Sequence, residues 1–224
     1  QRLEYANYDL ARAREAADEA RLNKQRFAAS VSHEMRTPLN VLTALGEMMY
    51  FSPERYGDQP LPPDLRRDAR EIYRSSKHLI RLIDDVLDMA KIEAGQMRVD
   101  FEPVNLNEVV IETLDMIRPL VREKGVALRA EMDRALPLVV VDRDRVQQVL
   151  LNLLNNAQRY TESGSITVRA IPDAEQIQIT VADTGVGIPP DEIEDIFKEF
   201  HQVEGLGVQG RGGHGLGLAV CKRF

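Results

Sequence analysis

The N-terminal part of the chain repeats apolar or small side chains at alternating spacings of three and four residues. This spacing is the heptad seam of a coiled coil. The seam comprises Leu3, Ala6, Leu10, Ala13, Ala17, Ala20, Phe27 and Val31, and its phase continues through Met35, Leu42, Leu45 and Met49. The pattern predicts one long helix that pairs with a second copy of the chain. The alternative is a single amphipathic helix that lies on its own domain.

A second helix is predicted after a break rich in proline and glycine at residues 52–63. Its apolar and small positions recur with strict four-three alternation and stop before Gly95, a suitable C-cap. These positions are Leu65, Ala69, Ile72, Ser76, Leu79, Ile83, Val86 and Ala90. Two long helices joined by a loop form a hairpin that cannot bury so broad a stripe alone. The hairpin is therefore expected to form a dimeric four-helix bundle.

Beyond Gly95 the pattern changes to short strands among helices. Strands are predicted at 97–101, 126–131, 138–141, 165–170 and 176–182, and helices at 106–123, 144–160, 191–200 and from 216 onward. Ile177, Ile179 and Val181 alternate with polar residues, which indicates a sheet with one covered face. The second half is expected to be an α/β sandwich, a mixed sheet covered by helices.

Composition narrows the classes of protein. The 224 residues include 43% hydrophobic and 29% charged side chains, and the net charge is -7. No stretch reaches the roughly 20 apolar residues of a membrane span, so no direct membrane contact is expected. The acidic balance disfavours nucleic-acid binding. A single cysteine, Cys221, and the lack of a secretory signal favour the cytoplasm, although a parent protein could be membrane-anchored.

His33 is the first candidate for chemistry. It lies about 200° around the helix from both Val31 and Met35, by the helical angle of about 100° per residue, and should be exposed. A neutral imidazole is a competent nucleophile, and the adjacent carboxylate of Glu34 can accept the other ring proton. Without further information, a solvated surface histidine in a kinked helix explains the same pattern.

The nine residues from Ser32 to Asn40, Ser-His-Glu-Met-Arg-Thr-Pro-Leu-Asn, resemble the phosphoacceptor box of sensor histidine kinases of two-component systems. The resemblance implies that His33 is autophosphorylated, that Glu34 acts as acid/base, and that Thr37 positions water when the partner is dephosphorylated. It also implies a homodimer, an upstream sensor domain, and a response-regulator receiver domain whose aspartate accepts the phosphoryl group.

A column of polar residues, Gln148, Asn152, Asn156 and Tyr160, follows one face of the helix predicted at 144–160. Asparagine oxygen suits a Mg²⁺ ion that already carries triphosphate oxygens, and Arg159 could add charge for the phosphates. An ordinary amphipathic helix is the alternative for this segment alone. The segment resembles the asparagine box of the same kinases, which places Mg²⁺ on Asn156 with Asn152 in support.

Glycine-rich turns complete the candidate nucleotide site. A carboxylate at Asp183 can accept the adenine amino group, while Gly185 and Gly187 allow backbone to approach the base. A second glycine-rich segment introduces the last helix, whose amide groups could hold phosphates. In order and spacing these motifs resemble the ATP site of the histidine kinase, DNA gyrase, heat-shock chaperone and mismatch-repair superfamily. The matching residues are Asp183, Gly185, Gly187, Ile188, Phe197, Gly213, Gly215, Leu216 and Gly217.

The chain departs from this family at two places. His214 stands where the family usually has Thr or Ser, and the chain stops at Phe224, before the strands that complete the family's sheet. We expect a signalling coiled-coil helix at 1–26, a dimerisation and phosphotransfer domain at 27–95, and an ATP-binding domain at 96–224 that is truncated at its C-terminus.

The expected function is that of an ATP- and Mg²⁺-dependent protein-histidine kinase that autophosphorylates His33 and phosphorylates a response regulator, with possible reversal by dephosphorylation. Two alternatives stay open. One is a signalling dimer that binds nucleotide but is dominated by phosphatase activity or inactive as a kinase. The other is an ATP-driven dimer clamp, which would have no use for the box around His33.

Overall fold

A computed structural model describes residues 2–57, 61–133, 135–203 and 214–224. Within residues 2–29 it describes the backbone and, of the side chains, only those of Arg12, Arg14 and Glu15. The chain divides into two compact units, Gln1–Met97 and Arg98–Phe224. Among the described residues, no helix is both long enough and apolar enough to cross a membrane.

The first unit is the predicted helical hairpin. Helix α1 (Arg2–Phe51) continues past Pro38 without interruption, a 3-10 turn covers Pro53–Tyr56, and helix α2 (Pro63–Glu93) follows. Gly95 ends α2 as predicted, because its φ of +66° allows Gln96 N–H to donate to the carbonyl of Lys91 at 2.9 Å. The side chains of the seam from Leu3 to Phe27 lie outside the described ones, so the coiled coil stays a prediction.

The apolar stripe of the hairpin is divided between two faces. One face is buried between the helices and consists mainly of small or β-branched residues, namely Ser32, Leu39, Thr43 and Gly46 on α1 and Ala69, Ser76, Ile83, Met89 and Ala90 on α2. The other face stays exposed and consists of Met35, Leu42 and Leu45 on α1 and Leu65, Ile72, Leu79 and Val86 on α2. The exposed residues of α2 recur every seven positions, so this unit leaves one complete heptad row uncovered.

In the part that the structure describes, the second unit contains three α-helices and two small sheets. Strands β1 (Glu102–Val104) and β3 (Val139–Val141) form an antiparallel pair. Strand β2 (Ala127–Met132) runs parallel to β4 (Ser165–Asp173), and β4 runs antiparallel to β5 (Gln176–Asp183). The helices are α3 (Leu106–Glu123), α4 (Arg143–Tyr160) and α5 (Gly217–Arg223).

The core of the second unit lies between the helices and the larger sheet. Ile166, Val168 and Ala170 alternate along β4 and are completely buried, while Ile177, Ile179 and Val181 of β5 pack against the same core. The buried faces of α3 and α4 supply most of the remaining core side chains. The predicted α/β sandwich with a mixed sheet is therefore confirmed.

Two local predictions were wrong. The strand predicted at 97–101 is absent, and β1 begins only at Glu102. The N–H of Asp100 donates instead to the side chain of Asp142, which caps α4. Residues 191–200 form turns and a 3-10 helix (Asp195–Phe197) rather than an α-helix. Phe200 has a φ of +60°, and its N–H donates to the carbonyl of Gly215 at 3.0 Å, so a distant backbone contact replaces helix continuation.

Replacement of Gly46 by alanine tests the close contact within the hairpin. A Cβ there would lie 2.9 Å from the backbone nitrogen of Tyr73. Helix propensity favours alanine by about 1 kcal/mol, but overpacking costs about 1–3 kcal/mol. We expect Gly46→Ala to lower the free energy of unfolding, measured in urea at fixed protein concentration. Asn40→Ala, on the exposed side of α1, is the control, and a stabilised Gly46→Ala protein would contradict the contact.

Replacement of Asp142 by alanine tests the cap at the start of α4. Its carboxylate accepts from the N–H groups of Arg145 (3.1 Å) and Asp100 (3.0 Å). Burial alone would raise the pKa of Asp142, but these hydrogen bonds and the charge of Arg145 lower it overall. Asp142→Ala should reduce the free energy of unfolding by about 1–2 kcal/mol near neutral pH, the usual cost of losing a helix cap.

The pH dependence of this loss has a defined sign. Because the folded-state pKa of Asp142 is lowered, its contribution is complete above the unfolded-state pKa of about 3.9 and disappears as the pH falls through the folded-state pKa. Urea unfolding near pH 7 and at about pH 2.5 should therefore show a smaller difference between wild type and Asp142→Ala at the acidic pH. An equal difference at both pH values would rule out the charged form as the stabilising one.

Candidate phosphoacceptor and nucleotide sites

The candidate phosphoacceptor lies on the exposed side of α1. His33, Glu34 and Thr37 are all exposed, as predicted for His33. The hydroxyl of Thr37 donates to the backbone carbonyl of His33 at 3.3 Å, a bond across one helical turn. The imidazole therefore stands in solvent on a continuous helix, with a carboxylate next to it in sequence and a hydroxyl one turn further on.

An ion pair beside His33 connects the two helices of the hairpin. Nη2 of Arg36 lies 2.5 Å from Oδ1 of Asp84 on α2, and both side chains are 44% exposed. At this exposure the pair contributes about 1 kcal/mol or less to stability. It shows that the part of α2 around Asp84 lies next to the helical turn that carries His33. The sequence analysis assigned no role to Arg36, although its position inside the nine-residue box indicated that it could have one.

Two asparagines of the polar column, Asn152 and Asn156, lie on α4. Asn152 is half-buried, and its amide donates to the carbonyl of Gly217 at 3.2 Å, which ties α4 to the start of α5. Asn156, one turn further along, is also half-buried. Arg159 and Tyr160 follow in the last turn of the same helix. The helix therefore aligns an amide oxygen, a cation and an aromatic ring at its C-terminal end.

The turn after β5 lies against the end of α4. Oδ1 of Asp183 accepts from the N–H of Gly185 at 2.8 Å. A Cβ at Gly185 would be only 2.5 Å from the carbonyl oxygen of Tyr160 and 2.8 Å from Oδ1 of Asp183. The structure thus brings Tyr160, Asp183 and Gly185 together. Gly187 has a φ of +72° and Ile188 is exposed, so the turn continues away from this contact.

Thr184 is a further part of this framework that the sequence analysis did not identify. Its hydroxyl accepts from the N–H of Ser165 at 3.0 Å and donates to the carbonyl of Ser163 at 3.3 Å. A Cβ at Gly164 would lie 2.1 Å from that hydroxyl oxygen. Thr184 therefore connects the end of β5 to the start of β4, and its place between Asp183 and Gly185 was the available signal.

The start of α5 is fixed by contacts on both sides. Gly215 has a φ of +70°, Leu216 is buried, and Gly217 begins α5 against Asn152. Phe197 is half-buried with Nζ of Lys222 5.4 Å from its ring centroid, so α5 also contacts the 3-10 helix. Gly213 lies outside the described residues.

The donors for a metal ion are few in the described parts of the two units. No group of three or more His, Cys, Asp or Glu side chains that could hold a metal occurs there. The half-buried amide of Asn156 can offer one oxygen. This fits Mg²⁺, which commonly keeps several waters and is bound through one or two protein ligands together with substrate phosphates.

Comparison with known proteins assigns both units. Residues 23–95 match the family described as His Kinase A (phospho-acceptor) domain, and they include His33. Residues 141–224 match the family described as histidine kinase-, DNA gyrase B-, and HSP90-like ATPase, and they include Asn156 and Asp183. The chain belongs to the sensor histidine kinases. The predicted family is confirmed, and the kinase core has the expected phosphoacceptor and ATPase domains.

Its curated relatives are much longer proteins. The kinase core is 39% identical over 214 residues to the non-motile and phage-resistance protein of Caulobacter vibrioides, covering 92% of this chain and 25% of the relative. It is 36% identical over 227 residues to the cell-division control histidine kinase PdhS of Brucella suis, covering 96% of this chain and 21% of the relative. The chain thus spans a quarter or less of the length of these two relatives.

Solved structures share the fold. Full-length ShkA in complex with AMPPNP is 31% identical with a TM-score of 0.68, over 88% of this chain and 40% of that chain. Histidine kinase ThkA in complex with response regulator protein TrrA is 25% identical with a TM-score of 0.58, over 93% of this chain and 57% of that chain.

Gly185→Ala tests the contact between the two segments of the candidate nucleotide site. The new Cβ would overlap both the carbonyl of Tyr160 and the carboxylate of Asp183. We expect a loss of stability of about 1–3 kcal/mol and a loss of nucleotide affinity of about tenfold or more, since tenfold is only 1.4 kcal/mol. Titration with AMPPNP and thermal unfolding measure the two effects. Glu175→Ala, an exposed substitution in the turn between β4 and β5, is the control for a change elsewhere in the same unit.

Proposed function

We propose that this kinase core binds ATP with Mg²⁺ in its second unit, transfers the γ-phosphoryl group to His33, and passes it to an aspartate of a response-regulator receiver domain. The observation that carries the proposal is the exposed imidazole of His33 next to Glu34, on a hairpin of the phosphoacceptor family. Because ATP is the donor, the reaction belongs in the cytoplasm. ThkA, a structural neighbour, was solved in complex with a response regulator, which supports that class of partner.

The unprotonated ring nitrogen of His33 attacks the γ-phosphorus of ATP. The bond between that phosphorus and the bridging oxygen breaks, and ADP leaves with the electron pair. Glu34 accepts the proton from the other ring nitrogen, so that the phosphorylated imidazole becomes neutral. The receiver aspartate then attacks the phosphorus, and the bond between phosphorus and the ring nitrogen breaks with its electron pair left on His33. The proton held by Glu34 returns to the ring, so that the imidazole is neutral again.

The residues at the end of α4 and after β5 bind and orient the nucleotide. Asp183 accepts from the adenine amino group, and Gly185 and Gly187 allow the base to approach the backbone, with Ile188 beside it. Tyr160 and Phe197 supply apolar contact, and Arg159 offers charge to the phosphates. Gly213, Gly215, Leu216 and Gly217 form the phosphate side. Phosphoryl transfer depends chiefly on positioning and charge neutralisation, which suits this division of roles.

Asn156 is proposed to hold Mg²⁺ through its side-chain oxygen, with Asn152 in support. The ion would neutralise charge on the phosphates. Asn152 already donates its amide N–H to Gly217, so its oxygen is the part that remains for this role. Mg²⁺ commonly takes only one or two ligands from the protein and fills its other positions with phosphate oxygens and water, which suits two half-buried asparagines.

The kinase core is proposed to act as a homodimer. The support is the uncovered row Leu65, Ile72, Leu79 and Val86, with Met35, Leu42 and Leu45 exposed on α1. A second hairpin that covers both rows would complete a four-helix bundle. The boundaries at 1–26, 27–95 and 96–224, and an upstream sensor domain, remain predictions.

A second function, dephosphorylation of the response regulator, has its own support in Thr37. Its hydroxyl lies one turn from His33 on an exposed helix face, where it could orient an attacking water. His214, in place of the usual Thr or Ser, stands beside the proposed phosphate side and favours a protein in which this second activity dominates.

His33→Gln tests the phosphoacceptor. Incubation of the wild-type chain with γ-labelled ATP and Mg²⁺ should give acid-labile, base-stable label, and the label should fall to background in His33→Gln because no other group replaces the ring nitrogen. His78→Gln is the matched control, since His78 lies on α2 of the same unit outside the box. Label that persists in His33→Gln would contradict His33 as the acceptor, and a wild-type protein that binds ATP without labelling would contradict the proposed kinase activity.

A further inference from the structure

Lys124 lies at a fixed turn between α3 and β2. It is the C-cap of α3, and Gly125 follows with a φ of +72°. The N–H of Val126 returns to the carbonyl of Val121 at 3.1 Å. This closed turn determines where the lysine side chain leaves the backbone. The side chain is only 16% exposed, which is unusual for a lysine and requires that its ammonium group be well paired.

The partners of this ammonium group are carbonyl oxygens at the end of α4. Nζ of Lys124 lies 2.6 Å from the carbonyl oxygen of Gln158, 3.3 Å from that of Arg159 and 3.1 Å from that of Thr161. The carboxylate of Glu162 is 3.6 Å away. Carbonyl groups in the last turn of a helix have no partner within the helix. A single ammonium group with three donors therefore satisfies several of them at once.

The backbone at the end of α4 that Lys124 contacts also contributes to the candidate nucleotide site. The carbonyl of Tyr160 lies where it excludes any side chain from Gly185, and Gly185 in turn donates to Asp183. The hydrogen bonds of Lys124 surround Tyr160, at Arg159 before it and at Thr161 after it. Because Thr161 is completely buried, water has little access to replace the ammonium group.

We propose that Lys124 is a positioning residue for the nucleotide site. It holds the end of α4 in the one place that allows Tyr160 and the turn from Asp183 to Gly185 to fit against each other. Lys124 acts through these residues and has no contact with the nucleotide. The inference rests on the proposed function, since it assumes that this site binds ATP.

The test compares two variants, each of which loses a stabilising side chain at one end of α4. Lys124→Met keeps the length of the side chain but removes the ammonium group, whereas Asp142→Ala removes the cap at the opposite end of the same helix. AMPPNP with Mg²⁺ is titrated into each full chain, and the amide resonance of Gly185 is recorded without nucleotide. Thermal unfolding measures how far each variant is destabilised.

We expect Lys124→Met to weaken AMPPNP binding by about tenfold or more and to shift the Gly185 resonance, whereas Asp142→Ala should change the affinity by less than about twofold. Lys124→Arg keeps charged donors and should recover most of the affinity. A role limited to stability predicts that affinity follows the loss of thermal stability in all variants and that Gly185 does not shift, and this result would overturn the proposal.

Failure of the proposed function gives a different pattern. If the wild-type chain binds no AMPPNP, the nucleotide assignment fails, while the Gly185 resonance still shows whether Lys124 positions the turn. If Lys124→Met does not fold, Lys124→Gln provides the same comparison with one neutral amide group as donor. An unshifted Gly185 in that variant, together with unchanged affinity, would also overturn the proposal.

Discussion

The backbones at Tyr160 and Gly185 approach each other so closely that no side chain fits between them, and the proposed nucleotide site is arranged around this contact. The approach places the carboxylate of Asp183, at the end of β5, beside the polar end of α4. It also means that neither segment can move closer to the other without overlap. Sites that depend on positioning lose activity with displacements of about 1 Å, so a contact between two backbones, with no flexible side chain in between, suits a site of this kind.

The helical hairpin also depends on a close approach between two backbones, here those of its two helices. Small residues at its internal face, such as Gly46 and Ala69, let α1 and α2 lie close together. The larger apolar residues are thereby left on the adjacent face. The apolar stripe of each helix therefore has two parts. One part packs between the two helices, and the other stays exposed. This division explains why a hairpin with so many apolar positions buries few large side chains by itself.

Much of the fold could be predicted because its periodic signals are strong. Helix α3 begins and ends at the predicted residues 106 and 123, and the alternation along β5 matches its half-buried positions. The helix expected at 191–200 failed because the Phe200 N–H finds a partner at Gly215, which no local pattern contains. The motifs pointed to the candidate site residues. The role of Lys124 could not be read in this way, since its partners lie 34 to 37 residues further along the chain.

The hydrogen bond between Phe200 and Gly215 also joins the two ends of the segment that lies between them. A chain whose ends are pinned forms a closed ring in the sense of polymer statistics. The entropic cost of closing such a ring grows slowly, by about 0.6 kcal/mol for each doubling of its length. Because this cost depends so weakly on length, the contact that holds the turn after the 3-10 helix beside the start of α5 does not require one exact number of residues between its two ends.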